Sequence, residues 1–176
     1  SADTQNPLRG KLVLVVDDNE VNRKVVEGLL KTIGIKVVES ESGADALKKV
    51  RAQQFDLILM DHVMPEMDGL KTTELIRKLE AYENVPIIAL TGHSGSEYTA
   101  MYAAVGMNDY ITKPIQVKSF VSCIQKWLNQ ESLWIAGLDK KNALEFTGSE
   151  ENLDRIIRIF NKNSAKLLEH LDEGKK

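Results

Sequence analysis

The chain has 176 residues, 43% apolar and 28% charged, which is the balance of a folded globular protein and excludes a disordered or collagen-like chain. Its 23 basic and 26 acidic residues leave a net charge of −3, where a nucleic-acid-binding module would lean basic. Residues 129–176 hold 9 acids and 8 bases against 17 and 15 in residues 1–128, so neither end is a charged tail. The apolar runs are short, about five residues, as in Leu12–Val16. A membrane span needs roughly 20 and a signal peptide a run of at least about 7, so neither is expected here. The single cysteine, Cys123, has no internal disulfide partner, which fits a reducing, cytoplasmic setting.

Residues 1–10 are polar and are expected to form a flexible N-terminus. From Lys11 onward, short β-branched runs alternate with stretches of helical period. The runs are Leu12–Val16, Ile35–Val38, Leu57–Met60, Pro86–Leu90 and Tyr110–Thr112. Between the first two, Val21, Val25, Leu29 and Ile33 recur every four residues, and Gly34 supplies a stop. The next helix opens at Ser42, with Asp45 placed as its capping-box partner. The last carries Val117, Phe120, Val121, Ile124 and Leu128 on one face. Five strands alternating with five helices predict an α/β fold with a doubly wound, five-stranded parallel sheet over residues 11–128. The rhythm then breaks: residues 129–138 read as a linker and 139–176 as a helical segment. A stripe from Leu153 to Leu171 within residues 149–171 has no partner of its own and is expected to support self-association.

Polar side chains stand where the apolar runs end. Asp17 and Asp18 follow the first, Asp61 the third, Thr91 the fourth and Lys113 the fifth. In a doubly wound sheet these positions converge on the rim where ligands bind. Two like unit charges at 4 Å repel by about 4 kcal/mol at an effective dielectric near 20, so three carboxylates together call for a cation. Oxygen ligands with room for water suit Mg²⁺, with Mn²⁺ the alternative. A carboxylate beside a metal, a lysine and a hydroxyl suits covalent capture of a phosphoryl group as an aspartyl phosphate.

Four stretches then carry a resemblance. Val15-Val16-Asp17-Asp18-Asn19, Leu59-Met60-Asp61-His62-Val63-Met64-Pro65-Glu66-Met67-Asp68-Gly69, Ala89-Leu90-Thr91-Gly92 and Tyr110-Ile111-Thr112-Lys113-Pro114 resemble the motifs of a response-regulator receiver domain. The resemblance implies a flavodoxin-like strand order of 2-1-3-4-5. It implies Asp61 as phosphoacceptor, and Mg²⁺ on Asp17, Asp18, Asp61 and the backbone carbonyl of Val63. It implies that Thr91 and Lys113 hold phosphoryl oxygens, that Lys113-Pro114 is cis, and that Tyr110 swings inward when Thr91 moves toward the phosphoryl group. The wording Asp18-Asn19-Glu20-Val21-Asn22-Arg23 and Ala104-Val105-Gly106-Met107-Asn108-Asp109-Tyr110 resembles receivers fused to hybrid sensor histidine kinases. That context implies a phosphohistidine-bearing kinase domain as donor, a histidine phosphotransfer domain as recipient, and a parent chain that can be membrane-anchored. Residues 135–171 resemble the first helices of a phosphotransfer domain, without its His-x-x-Lys-Gly motif: His170 is followed by Leu171-Asp172-Glu173-Gly174.

Two positions depart from common wording in that family. Val63 stands where a polar residue is frequent, and His93 where small residues are frequent. Both are expected to tune hydrolysis of the aspartyl phosphate, with His93 shielding it. A stand-alone regulator is the alternative context. A phosphatase of the haloacid dehalogenase type also uses Asp, Mg²⁺, Thr and Lys, but its Asp-x-Asp pair is missing from Asp17-Asp18-Asn19.

Overall fold

A computed structural model describes residues 6–129. Five strands and five helices alternate: β1 (Leu12–Val16), α1 (Glu20–Thr32), β2 (Lys36–Ser40), α2 (Gly43–Ala52), β3 (Leu57–Asp61), α3 (Gly69–Arg77), β4 (Ile87–Thr91), α4 (Ser96–Val105), β5 (Asp109–Thr112) and α5 (Val117–Leu128). A short 3₁₀ turn, Glu80–Tyr82, follows α3. The sheet is wholly parallel in the order β2-β1-β3-β4-β5, as expected.

Side chains alternate across a strand, and here both faces are covered, so the strands are apolar on both sides. Val13, Val15, Leu57, Leu59, Ile88 and Leu90 pack on one side against Val26 and Leu30 of α1 and Phe120, Ile124 and Leu128 of α5. Leu14, Val16, Ile58, Met60, Ile87 and Ala89 pack on the other against Ala46, Leu47 and Val50 of α2 and Ile76 of α3.

Polar caps set three helix starts, each satisfying an N–H that the helix itself leaves unpaired. Asn19 Oδ1 accepts from the Val21 and Asn22 amides, Ser42 Oγ from Asp45, and Asp68 Oδ1 from Lys71. α4 begins at Gly95 with no side-chain cap.

Local expectations differ from the fold at several points. β2 runs on through the polar Glu39 and Ser40, because the ladder to Val15 and Val16 continues there. The capping box at Ser42 is half formed, since the Asp45 carboxylate turns to Ser40 Oγ and Lys49 instead. A spacing of four drifts about 40° per step around a helix of 3.6 residues per turn. The stripe Val21, Val25, Leu29, Ile33 therefore leaves the core at its start: Val21 is 69% and Val25 52% exposed. Val117 is likewise exposed. Within the polar stretch expected to be flexible, residues 6–10 make contacts with the domain. Leu8 is buried in the core, and Asn6 Nδ2 donates to the Ile33 carbonyl at 3.1 Å. The linker at 130–138, the helical segment 139–176, the stripe 149–171 and residues 1–5 lie outside the described residues.

Candidate functional site

Parallel strands bring all their carboxyl ends to one rim, and β1 and β3 are neighbours at its centre. Asp17 and Asp18 leave β1 there, and Asp61 ends β3. Oxygens of these three carboxylates all lie within 4.8 Å of one another. Asp17 is 1% and Asp61 7% exposed, while Asp18 reaches solvent. Asp17 is fixed from three directions: Oδ1 accepts from the Asn19 amide at 2.8 Å, Oδ2 from Lys113 Nζ at 3.1 Å, and its backbone carbonyl from Arg23 Nη1 at 2.7 Å.

Lys113 also donates to Asp61 Oδ1 at 3.0 Å. Its position follows from the end of β5, where its amide donates to the Thr91 carbonyl at 2.7 Å and the bond to Pro114 is cis, as expected. α3 closes against β3 so tightly that a side chain on Gly69 would put its Cβ 2.0 Å from the Asp61 carbonyl oxygen. A glycine is therefore required at this approach.

Burial, first of all, pushes the Asp61 carboxyl up to about 6; the Lys113 hydrogen bond opposes this and the charges of Asp17 and Asp18 add to it. Burial pulls the Lys113 ammonium down, but its bonds to Asp61 and Asp17 outweigh that and hold it above its ordinary value. One ammonium thus bridges two of the three acids and is stabilised, while the central acid remains under-compensated. That donor set, anionic oxygens with one exposed member open to water, fits a hard divalent cation.

Thr91 ends β4 and is 1% exposed. Its Oγ1 accepts from the His93 amide at 2.9 Å and from the Tyr102 hydroxyl at 2.8 Å. Tyr110 is half-buried on β5, its ring centroid 6.0 Å from that of Tyr102. The His93 ring is exposed and lies flat on Tyr98 at 4.8 Å, with the His62 ring edge-on at 5.8 Å. Val63 is exposed in the loop after Asp61. The structure thus gathers Asp17, Asp18, Asp61 and Lys113, sets Thr91 at the same rim, and leaves His93 and Val63 on its outer edge. Sequence reasoning missed Tyr102 and His62, which join Thr91 in one chain: His62 Nδ1 lies 3.0 Å from the Tyr102 hydroxyl. The available signal was Tyr98 and Tyr102, four apart and so on one face of α4.

Residues 13–125 match the family model of the response regulator receiver domain. The sensor protein GacS of Pseudomonas syringae pv. syringae is 43% identical over 131 residues, covering 72% of this chain but 14% of GacS. The histidine-protein kinase BarA of Escherichia coli K12 is 39% identical over 104 residues, 59% of this chain and 11% of BarA. The chain therefore spans a small part of the length of these relatives. Among solved structures, the receiver domain of the Pseudomonas aeruginosa sensor histidine kinase PA1611, with a magnesium ion coordinated in its active-site cleft, superposes with TM-score 0.63 and 36% identity over 68% of this chain and 98% of that one. The Vibrio cholerae chemotaxis protein CheY4 superposes with TM-score 0.65 and 30% identity over 67% and 98%. The chain belongs to the response regulator receiver family, homologous to the receivers of hybrid sensor histidine kinases that act in two-component phosphorelay signalling.

Proposed function

We propose that this receiver takes a phosphoryl group from a phosphohistidine onto Asp61. The observation that carries the reading is the convergence of Asp17, Asp18 and Asp61 with a single ammonium, Lys113, between two of them. Asp17, Asp18, Asp61 and the Val63 carbonyl would hold Mg²⁺ (Mn²⁺ has the same ligand preference), and the ion would supply positive charge to the phosphoryl oxygens. An Asp61 carboxylate oxygen attacks phosphorus, the P–O bond forms, and the P–N bond to the donor imidazole breaks. Lys113 neutralises one phosphoryl oxygen and the Thr91 hydroxyl donates to another. As Thr91 is drawn toward the phosphoryl group, Tyr110 moves inward and alters the surface of α4, β5 and α5.

The partner is a helical domain bearing the phosphohistidine, either a kinase domain or a histidine phosphotransfer domain. The exposed valines support that reading as its footprint: Val21 follows Asp18 by three residues, Val63 follows Asp61 by two and Val117 follows Lys113 by four, with Val25 one turn further along α1. Exposed apolar side chains thus follow Asp18, Asp61 and Lys113 closely along the chain, and packed against a partner they would exclude water around a transferring phosphoryl group. We read the parent as a cytoplasmic or membrane-anchored hybrid histidine kinase, and residues 139–176 as the start of a phosphotransfer domain. Among the described residues no helix is long and apolar enough to cross a membrane.

Incubation with Mg²⁺ and acetyl phosphate, read by intact mass, tests the reading. One phosphoryl group per chain is expected, with none in Asp61→Asn or after chelation of the metal. Uptake that survives Asp61→Asn would overturn it. Multiple turnover of phosphate esters would instead favour a phosphatase.

A further inference from the structure

We propose that Tyr102 is a positioning residue for phosphoryl transfer: its hydroxyl fixes Thr91 so that the Thr91 hydrogen is presented to a phosphoryl oxygen. The inference rests on Asp61 being the phosphoacceptor. A threonine hydroxyl has one hydrogen and two acceptor lone pairs. The His93 amide occupies one lone pair of Thr91 Oγ1 at 2.9 Å, and the Tyr102 hydroxyl donates to it at 2.8 Å. With both acceptor positions filled, the hydrogen of Thr91 is the one valence left to give. Its direction is set before any charge develops on the phosphoryl oxygens, which is what makes a donor effective in transfer.

The Tyr102 hydroxyl is itself held in this role. His62 Nδ1 lies 3.0 Å away; in the tautomer with hydrogen on Nδ1 it donates to the phenol oxygen, in keeping with the phenol hydrogen going to Thr91. Tyr102 is 2% exposed and is the buried residue of α4, a helix whose start has no side-chain cap. Burial pushes the phenol above its ordinary value, so it stays protonated and keeps donating. The aromatic in contact with the Thr91 hydroxyl therefore comes from α4, whereas the Tyr110 ring stands 6.0 Å from the Tyr102 ring.

Tyr102→Phe removes one oxygen and keeps the ring. With saturating Mg²⁺ and acetyl phosphate, phosphoryl uptake by Tyr102→Phe is expected to be roughly three- to tenfold slower than wild type, the loss of one hydrogen bond's worth of orientation. Affinity for Mg²⁺ should not change. A purely structural role would slow any background equally, so the deciding arm is Thr91→Ala: adding Tyr102→Phe to it should slow uptake no further. A wild-type or faster rate in Tyr102→Phe, or additive losses in the double variant, would overturn the inference while leaving Asp61 as acceptor. Failure of the wild type to take up phosphoryl would remove the acceptor reading and this inference with it.

Discussion

The two ends of the sheet solve opposite problems with the same materials. At the amino ends of β4 and β5, the Arg77 guanidinium donates to the carbonyls of Gly106, Tyr82 and Val85 and to Asn108 Oδ1. Asn108 Oδ1 also accepts from the Ile87 amide, and Asp56 Oδ2 from the Leu12 amide at the start of β1. At the carboxyl ends, three carboxylates cluster, Lys113 bonds only two of them, and the Asp61 carboxyl is pushed up to about 6, burial being the largest cause. The lower end is satisfied and holds the strands in place. The upper end is left in want of positive charge, the condition on which the proposed binding of a cation and a phosphoryl group rests.

Removing the ammonium that bridges Asp17 and Asp61 at the upper end should have the largest effect. Lys113→Met leaves Asp17 and Asp61 without their shared donor. Phosphoryl uptake should fall by two orders of magnitude or so, typical of losing one preorganised donor to the transferring group. Mg²⁺ should bind more tightly in the same variant, because the ion no longer competes with an ammonium for those oxygens. Stopped-flow uptake and a Mg²⁺ titration read the two numbers, and a rate near wild type would remove Lys113 from the chemistry.

The matching operation at the lower end should affect stability and spare the chemistry. Arg77→Lys cannot serve four acceptors from one ammonium, so carbonyls near Gly106 and Val85 lose their donor. The cost should be about 2–4 kcal/mol, read from the urea midpoint, with Mg²⁺ affinity unchanged. A loss of Mg²⁺ binding would show that the two ends are not independent.

What could be read in advance divides along the same line. The alternation of strands and helices and the convergence of Asp17, Asp18, Asp61, Thr91 and Lys113 were legible because each strand is a short apolar run ending in a polar residue, whereas the strand order came from the resemblance to receiver domains. The Arg77 hub was not: three of its four acceptors are backbone carbonyls, which leave no trace in residue identity. Tyr102 escaped notice for a related reason. α4 has little apolar periodicity, and the bond to Thr91 spans two elements whose packing is set by the whole sheet. The exposed start of α1 misled because valines spaced by four look amphipathic while rotating off the core.

Protons and metal should compete at the upper end. The folded Asp61 carboxyl has its pKa raised from 3.8 to about 6, so the folded state favours its protonated form. That contribution to stability is complete below about pH 4 and is lost as pH rises through about 6, amounting to as much as about 3 kcal/mol by pH 8. A divalent cation then takes the proton's place. Mg²⁺ should therefore raise the melting temperature strongly at pH 8 and little at pH 5, and Asp61→Asn should flatten the metal-free pH dependence. Equal stabilisation at both pH values would contradict the under-compensated reading of this end.

The smallest effect should come from the outer edge. The His93 ring, stacked on Tyr98 and edge-on to His62, adds an aromatic wall beside the rim without touching the carboxylates through any hydrogen bond of its side chain among the described residues. A wall of that kind slows the approach of water to a phosphoryl group but stabilises no charge. His93→Ala should shorten the lifetime of the aspartyl phosphate by about two- to fivefold, a barrier change of roughly 0.4–1 kcal/mol, and leave the rate of uptake alone. Decay followed by intact mass separates the possibilities, because a ring that oriented the attacking water would give the opposite sign, with slower decay in the variant.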